Sequence, residues 1–352
     1  MSCAYVQYRI PEQALEKSRL FGKYQKRIHN KGVIVQRPEF DMIAKEYPHL
    51  ASQIDEIPCG KCIQCRLQRS REWANRCMLE LKTCDNAYFL TLTYDDAHLQ
   101  FAPYVDPETG ETSTRPVLVP KDLQKFLKRL RFWASSRTDK PIRFYACGEY
   151  GEGSLRPHYH LIVYNLPQVF EANNHFWSYS AADTPLWTCE TLDKLWPHGF
   201  SLYGQVTWST CAYVARYCMK KRLGRSRQDQ KVAQELLFPG QPFQEEFTRM
   251  SLRPAIGKNF YLQNREQIYS TDECFVNLKG VITPVKPAKY YDRLYDVDNP
   301  IHLKRIKAHR KIVAKQQHDV RMTMTDLSAE QYALNQEKLK KLQAQKLVRP
   351  SI

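Results

Sequence analysis

The sequence predicts an α+β chain, and three stretches predict it. His158-Tyr159-His160-Leu161-Ile162-Val163-Tyr164 is β-branched, aromatic or apolar apart from two histidines, so it reads as a strand running on from Arg156-Pro157. Tyr88 to Tyr94 reads as another strand, with Thr91 and Thr93 on one face and Leu90 and Leu92 on the other. Thr207 to Lys221 carries no Gly or Pro and opens with hydroxyl residues that suit an N-cap, so it reads as a helix.

Length and charge bound what such a chain does. At 352 residues it has room for two domains, or for one with extensions, and 43% apolar content is enough for a core. A formal net charge of +16 points to a polyanionic partner. Met1 to Ile10 has no apolar core, and no stretch approaches the ~20 apolar residues of a membrane span, so neither export nor a membrane is expected. Eleven cysteines, an odd number without an export signal, are expected to be reduced thiols in a cytosol.

In chain order, Lys17 to Arg37 is basic with few apolar positions and is expected to be loop-rich. Cys59-Gly60-Lys61-Cys62-Ile63-Gln64-Cys65 is a CxxCxxC cluster. Three thiolates at this spacing suit tetrahedral zinc, which needs a fourth ligand. From Arg66 the chain reads as a helix through Leu81. At ~1.5 Å rise per residue, Cys77 lies roughly 18 Å from Cys65, too far to share a site. Cys3, on the N-terminal arm, is the candidate fourth ligand, and the alternative is buried free cysteines.

Asp95-Asp96 ends the Tyr88 strand as a turn. Val105 to Val119 is expected to be a loop. Pro120 starts a helix with Leu123, Phe126, Leu127, Leu130 and Trp133 on one face. Ile142 to Cys147 is a strand candidate that runs through Gly148-Glu149-Tyr150-Gly151 and a turn into the histidine strand. Period two puts His158 and His160 on one face, and the hairpin sets Glu149 beside them, so the three form a candidate metal site. The alternative is a pair of ordinary hydrogen-bonded strand histidines. Leu166 to Trp187 is expected to be irregular and aromatic-rich, and Gly199 to Trp208 is a strand feeding the helix with Tyr213 and Tyr217 four residues apart. Arg222 to Gln230 is a plausible boundary, Cys274 to Val281 is strand-like, and Ser328 to Leu347 is a helix with a capping-box start at Ser328 and Gln331. Tyr290 and Tyr291 are further tyrosines with no histidine strand to mark them.

Taken together, His-apolar-His followed by Tyr-x-x-x-Tyr-x-x-Lys resembles the HUH endonucleases that start rolling-circle DNA replication, and within them the replication initiators of microviruses, in their gokushovirus-like branch. The stretches that carry the resemblance are Pro58-Cys59-Gly60-Lys61-Cys62 to Trp73, Phe89 to Tyr94, Gly148 to His160, Tyr213 to Lys221 and Arg253-Pro254-Ala255-Ile256-Gly257.

The resemblance implies a central antiparallel sheet with helices on its faces, in which the Tyr88 strand pairs with the histidine strand. It divides the chain into a Cys-rich N-terminal segment and helix at 1–85, a catalytic domain at 86–225, and an accessory region with a basic helical tail at 226–352. It further implies origin nicking by a tyrosine, a covalent 5′ link and later rejoining. Tyr213, Tyr217 and Lys220 are the catalytic candidates. Glu149, His158 and His160 are the ligands of Mg2+ or Mn2+, Cys3, Cys59, Cys62 and Cys65 the ligands of a structural Zn2+, and Arg156, Arg216 and Lys221 the DNA contacts. Expected partners are single-stranded and supercoiled circular DNA, a host helicase and a DNA polymerase, in the cytoplasm of a bacterial host. A single-strand transposase, a plasmid relaxase or a non-catalytic zinc-stabilised nucleic-acid-binding protein are the alternatives.

Overall fold

The computed structural model of the chain describes residues 6–29, 32–51, 53–60, 62–106, 109–151, 155–171, 173–180, 183–220, 225–323, 331–332 and 334–339. It divides into two compact units, 1–68 with 311–347, and 69–310 with 348–352.

In the first unit, β1 (Gln7–Pro11), β2 (Gly32–Val35) and β3 (Asp55–Ile57) form an antiparallel sheet in the order β2-β1-β3. Ile10, Leu15, Tyr24, Val33, Val35 and Leu50 make its core. The stretch Lys17 to Arg37 is therefore not mainly loop: it holds the short helix Phe21–Tyr24 and β2. Tyr24, Val33 and Val35 turn inward while Lys23, Lys26 and Arg27 stay in solvent, and the buried Tyr24 donates its hydroxyl to Glu39 at 2.8 Å.

The strands of the second unit are β4 (Ala87–Tyr94), β5 (Phe101–Val105), β6 (Thr112–Pro116), β7 (Arg143–Tyr150), β8 (Pro157–Tyr164), β9 (Asn174–Tyr179), β10 (Pro185–Cys189), β11 (Gly199–Gln205), β12 (Phe247–Met250), β13 (Cys274–Leu278) and β14 (Val281–Val285). Seven of them form an antiparallel sheet in the order β12-β7-β8-β4-β11-β10-β9. The pairs β5–β6 and β13–β14 are separate hairpins. β4 lies at the centre and pairs with β8, as the family resemblance implies.

Alternation sorts the two faces of this sheet. Leu90, Leu92 and Tyr94 of β4, with Tyr159, Leu161 and Val163 of β8, pack under the helix Pro120–Ser135 through Leu123, Phe126, Leu127 and Leu130. Each such buried side chain contributes about 1.5–3 kcal/mol. The opposite face carries the polar residues of the strands. It is partly roofed by the helix Trp208–Lys220, whose Cys211, Val214 and Ala215 are buried against Tyr145, Cys147, Ile162 and Tyr164.

Two expected irregular stretches are ordered. Within Val105 to Val119, Thr112–Pro116 pairs with Phe101–Val105, a hairpin hidden from a sequence reading by its proline and glycine content. Leu166 to Trp187 contains β9 and part of β10, the outer strands of the sheet. Its aromatics Phe176, Trp177 and Tyr179 are 49%, 60% and 65% exposed, so alternation does not show there. The plausible boundary at Arg222 to Gln230 runs into the helix Arg225–Leu237, and the tail forms the helix Pro300–Thr323. The expected helix from Ser328 is helical where it is described, at 331–332 and 334–339.

The turn Arg253 to Gly257 is tied down from several sides. Arg143 donates to the Pro254 carbonyl at 2.9 Å and Arg76 to that of Ile256 at 2.7 Å. Glu80 accepts from the Gly257 amide at 2.6 Å and also pairs with Arg143. Tyr291, fully buried, donates to the Gly257 carbonyl at 2.8 Å. Gly257 has φ +77°, and a Cβ there would come within 2.5 Å of the Tyr291 hydroxyl, so only glycine fits. Tyr291 is thus a structural tyrosine, and Tyr290 stacks under Arg76. No helix among the described residues is long and apolar enough to cross a membrane.

Candidate functional site

The site sits on the sheet face below the Trp208–Lys220 helix. The β7–β8 hairpin sets Glu149 directly across from His158, and Cys147 across from His160. On the other side of β8, the register pairs Thr91 with His160 and Thr93 with His158. Four side chains of period-two strands therefore meet in two matched couples. Thr91 Oγ1 lies 3.0 Å from His160 Nδ1, and Thr93 Oγ1 lies 3.1 Å from His158 Nδ1.

These contacts orient both rings. With Nδ1 carrying the proton and donating to a threonine oxygen, Nε2 is the atom left to act as ligand. His160 Nε2 lies 2.8 Å from Glu149 Oε1. His160 is fully buried and Glu149 nearly so, whereas His158 is half-buried. Phe89 stacks on the His160 ring at 5.5 Å and further restricts it.

The helix supplies the third element. Thr207 and Thr210 cap its start reciprocally: the Thr210 amide donates to Thr207 Oγ1 at 3.2 Å, and the Thr207 amide to Thr210 Oγ1 at 2.9 Å. The indole of Trp208 donates to Asn75 Oδ1 at 2.8 Å, fixing that end. Tyr213, on the flank of the buried stripe, donates its hydroxyl to Glu149 Oε1 at 2.9 Å, and the same hydroxyl oxygen lies 3.4 Å from His160 Nε2.

Of the residues expected from sequence, the structure thus brings together Glu149, His160 and Tyr213. His158 shares their face, its ring centre 6.3 Å from that of His160. Among the described residues, the one group of three or more ligand residues with all donor atoms within 4.8 Å is Cys59, Cys62 and Cys65, so Glu149, His158 and His160 do not form so tight a cluster. As a donor set, two imidazoles and one carboxylate fit a divalent ion that accepts nitrogen. That describes Mn2+ well and Mg2+, which favours oxygen, less well.

Tyr217 and Lys220 belong to the helix, but their side chains lie outside the described residues, as do Lys221 and Cys3 entirely. Arg216 is half-exposed on the helix. Arg156 holds the protein itself: it donates to the Tyr94 carbonyl at 2.8 Å and pairs with Asp96.

Two groups escaped the sequence reading. Thr91 and Thr93 were legible as one face of a strand, yet nothing local tied them to the histidines. The signal was their matching i, i+2 spacing. Glu246 precedes β12, whose Phe247 pairs with Gly148, so it stands next to Glu149 across the strands. The Tyr150 amide donates to it at 3.3 Å. Burial pushes the Glu246 carboxyl up to about 7, and the negative charge of Glu149 adds to the rise.

A family model for replication-associated proteins of the ORF2 type matches residues 87–222, the span that holds Thr91, Glu149, both histidines and Tyr213. Replication-associated protein ORF2 of Spiroplasma virus 4 is 33% identical over 304 residues, covering 84% of this chain and 86% of that protein. Replication-associated protein VP4 of Bdellovibrio phage phiMH2K is 30% identical over 264 residues, 74% of each chain. Replication-associated protein ORF4 of Chlamydia phage 1 is 28% identical over 191 residues, 51% of this chain and 44% of that protein. No solved structure matches. The chain belongs to this family of phage replication-associated proteins, the microvirus replication initiators.

Proposed function

We propose that this protein is an HUH nickase that initiates rolling-circle replication by cutting the viral-strand origin of circular DNA. The observation that carries the reading is the Tyr213 hydroxyl, 2.9 Å from Glu149 Oε1 and 3.4 Å from His160 Nε2, which joins a nucleophile candidate to two ligand candidates. A divalent ion held by Glu149, His158 and His160 would supply Lewis-acid stabilisation of the charge that grows on a scissile phosphate. The protein's own groups do the rest. A phenol with a normal pKa near ~10 must lose its proton to attack. Glu149 accepts the Tyr213 hydrogen bond, and Lys220, assigned on helical spacing alone, is the cation that favours phenolate.

Attack by the tyrosine oxygen on phosphorus forms the phosphotyrosine bond and breaks the bond to the 3′ oxygen. That oxygen leaves with a proton as a free 3′-hydroxyl. The ester keeps the bond energy, so the reverse attack rejoins ends. Tyr217, four residues on, would alternate with Tyr213 and release single-stranded circles.

The net charge of +16 supports a DNA partner, and the exposed Phe176, Trp177 and Tyr179 offer faces on which unpaired bases stack. As a phage replication protein it would act inside the bacterial host, with supercoiled circular DNA as substrate and a host helicase and polymerase extending the nick. The test is incubation with origin single strands and Mn2+, followed by a denaturing gel. A covalent adduct that survives denaturation is expected. Its absence with every divalent ion tried would leave a non-catalytic DNA-binding role.

A further inference from the structure

The cysteine knuckle of the first unit has no part in the chemistry above. Cys59, Cys62 and Cys65 bring their sulfurs within 4.8 Å of one another, and the Cys59 and Cys65 sulfurs are 4.0 Å apart. A disulfide needs ~2.05 Å between sulfurs, so none is formed. Three thiolates on one tetrahedral zinc, at about 2.3 Å each, would stand about 3.8 Å apart, which is close to the spacing seen.

The backbone is shaped for charged sulfur. Gly60 turns the chain at φ +72°, and the Cys62 amide then donates to Cys59 Sγ at 3.3 Å. An N–H aimed at sulfur favours thiolate over thiol. Cys62 immediately precedes the helix Ile63–Leu81 and Cys65 lies in its first turn, where the helix dipole favours negative charge. The other reading, cysteines acting as small apolar residues, describes Cys189 and Cys274, each buried in an apolar cluster. It does not explain three sulfurs converging with Cys59 and Cys65 half-exposed.

We infer that Cys59, Cys62 and Cys65 bind one zinc ion that staples the loop after β3 to the start of the Ile63–Leu81 helix. The fourth tetrahedral position goes to water or to a ligand outside the described residues; Cys3, named from the sequence, is one of those residues. The ion would stabilise a unit whose core is small, the situation in which metal staples are commonest. The inference does not depend on the nicking reading, since it involves neither the histidines nor the tyrosines.

The experiment is metal analysis of full-length protein purified without chelator. Wild type should carry about one zinc per chain. Cys62→Ser should carry almost none, while Cys84→Ser and His160→Ala should keep it, the last separating this site from the sheet face. Should Cys62→Ser not fold, cobalt added to chelator-stripped wild type decides the matter. Tetrahedral thiolate coordination gives strong visible bands and a thiolate-to-cobalt charge-transfer band, both lost on adding zinc. Folded wild type with no zinc and no such bands, or full zinc retention in both Cys59→Ser and Cys62→Ser, would overturn the inference.

Discussion

Tyr213 donates its hydroxyl to Glu149 across 64 residues of sequence, at 2.9 Å. One residue comes from a helix and the other from the rim of a hairpin. The contact forms only because the capped start of the Trp208–Lys220 helix is fixed to Asn75 while its apolar stripe packs on β7 and β8.

That contact sets the first expectation. Tyr213→Phe and Tyr217→Phe keep ring volume, so both variants should fold. Under the alternating scheme each still forms a covalent adduct with origin DNA, and each fails to release closed circles. The double variant forms no adduct. Peptide mapping of the wild-type adduct should find DNA on both tyrosines; DNA on Tyr213 alone, with circles still released by Tyr217→Phe, would reduce the protein to a one-tyrosine enzyme.

The histidines should separate cutting from binding. His158→Ala and His160→Ala are expected to abolish adduct formation yet leave DNA affinity nearly unchanged, because affinity rests on distributed positive charge. Chelator should silence wild type, and Mn2+ should restore it. Mobility-shift and adduct gels run on the same samples check both halves, and normal cutting by either alanine variant would sink the metal assignment.

The threonines test whether the ring contacts matter. Thr91→Val and Thr93→Val remove the oxygen from His160 and His158 at nearly constant volume. Loss of such an orienting partner typically costs about 10–100-fold in metal affinity or activity. The expected signature is a raised Mn2+ requirement for cutting, partly rescued at high Mn2+. An unchanged metal dependence would make the threonines mere strand fillers.

The Arg253–Gly257 turn should prove structural. Glu80→Ala leaves the buried Arg143 without its carboxylate and the Gly257 amide without its acceptor. Breaking a buried pair from one side costs about 3–5 kcal/mol. Urea unfolding should show a lower midpoint with an unchanged slope. A shift under about 1 kcal/mol would mean that water replaces the lost contacts.

Much of this protein was determined by local pattern. Period two alone put His158 with His160 and Thr91 with Thr93, and the 3.6-residue period put Tyr213 near Tyr217 on the helix. Spacing alone singled out Cys59, Cys62 and Cys65, since three residues close in sequence need only one turn to converge. The hairpin to Glu149 was legible because its two strands are neighbours in the chain.

What only tertiary structure decided depends on register and docking between distant segments. A shift of one residue between β4 and β8 would turn both threonines away from the histidines, and no local feature forbids it. The burial of Leu90 and Leu92 beneath the Pro120–Ser135 helix is what selects the register seen. Glu246 reaches Glu149 only because β12 joins the far edge of the sheet. The clasp of Glu80, Arg143 and Arg76 on the Arg253–Gly257 turn spans 111 to 180 residues. It forms because two buried arginines and a buried carboxylate must find partners wherever the packed chain brings polar groups within reach.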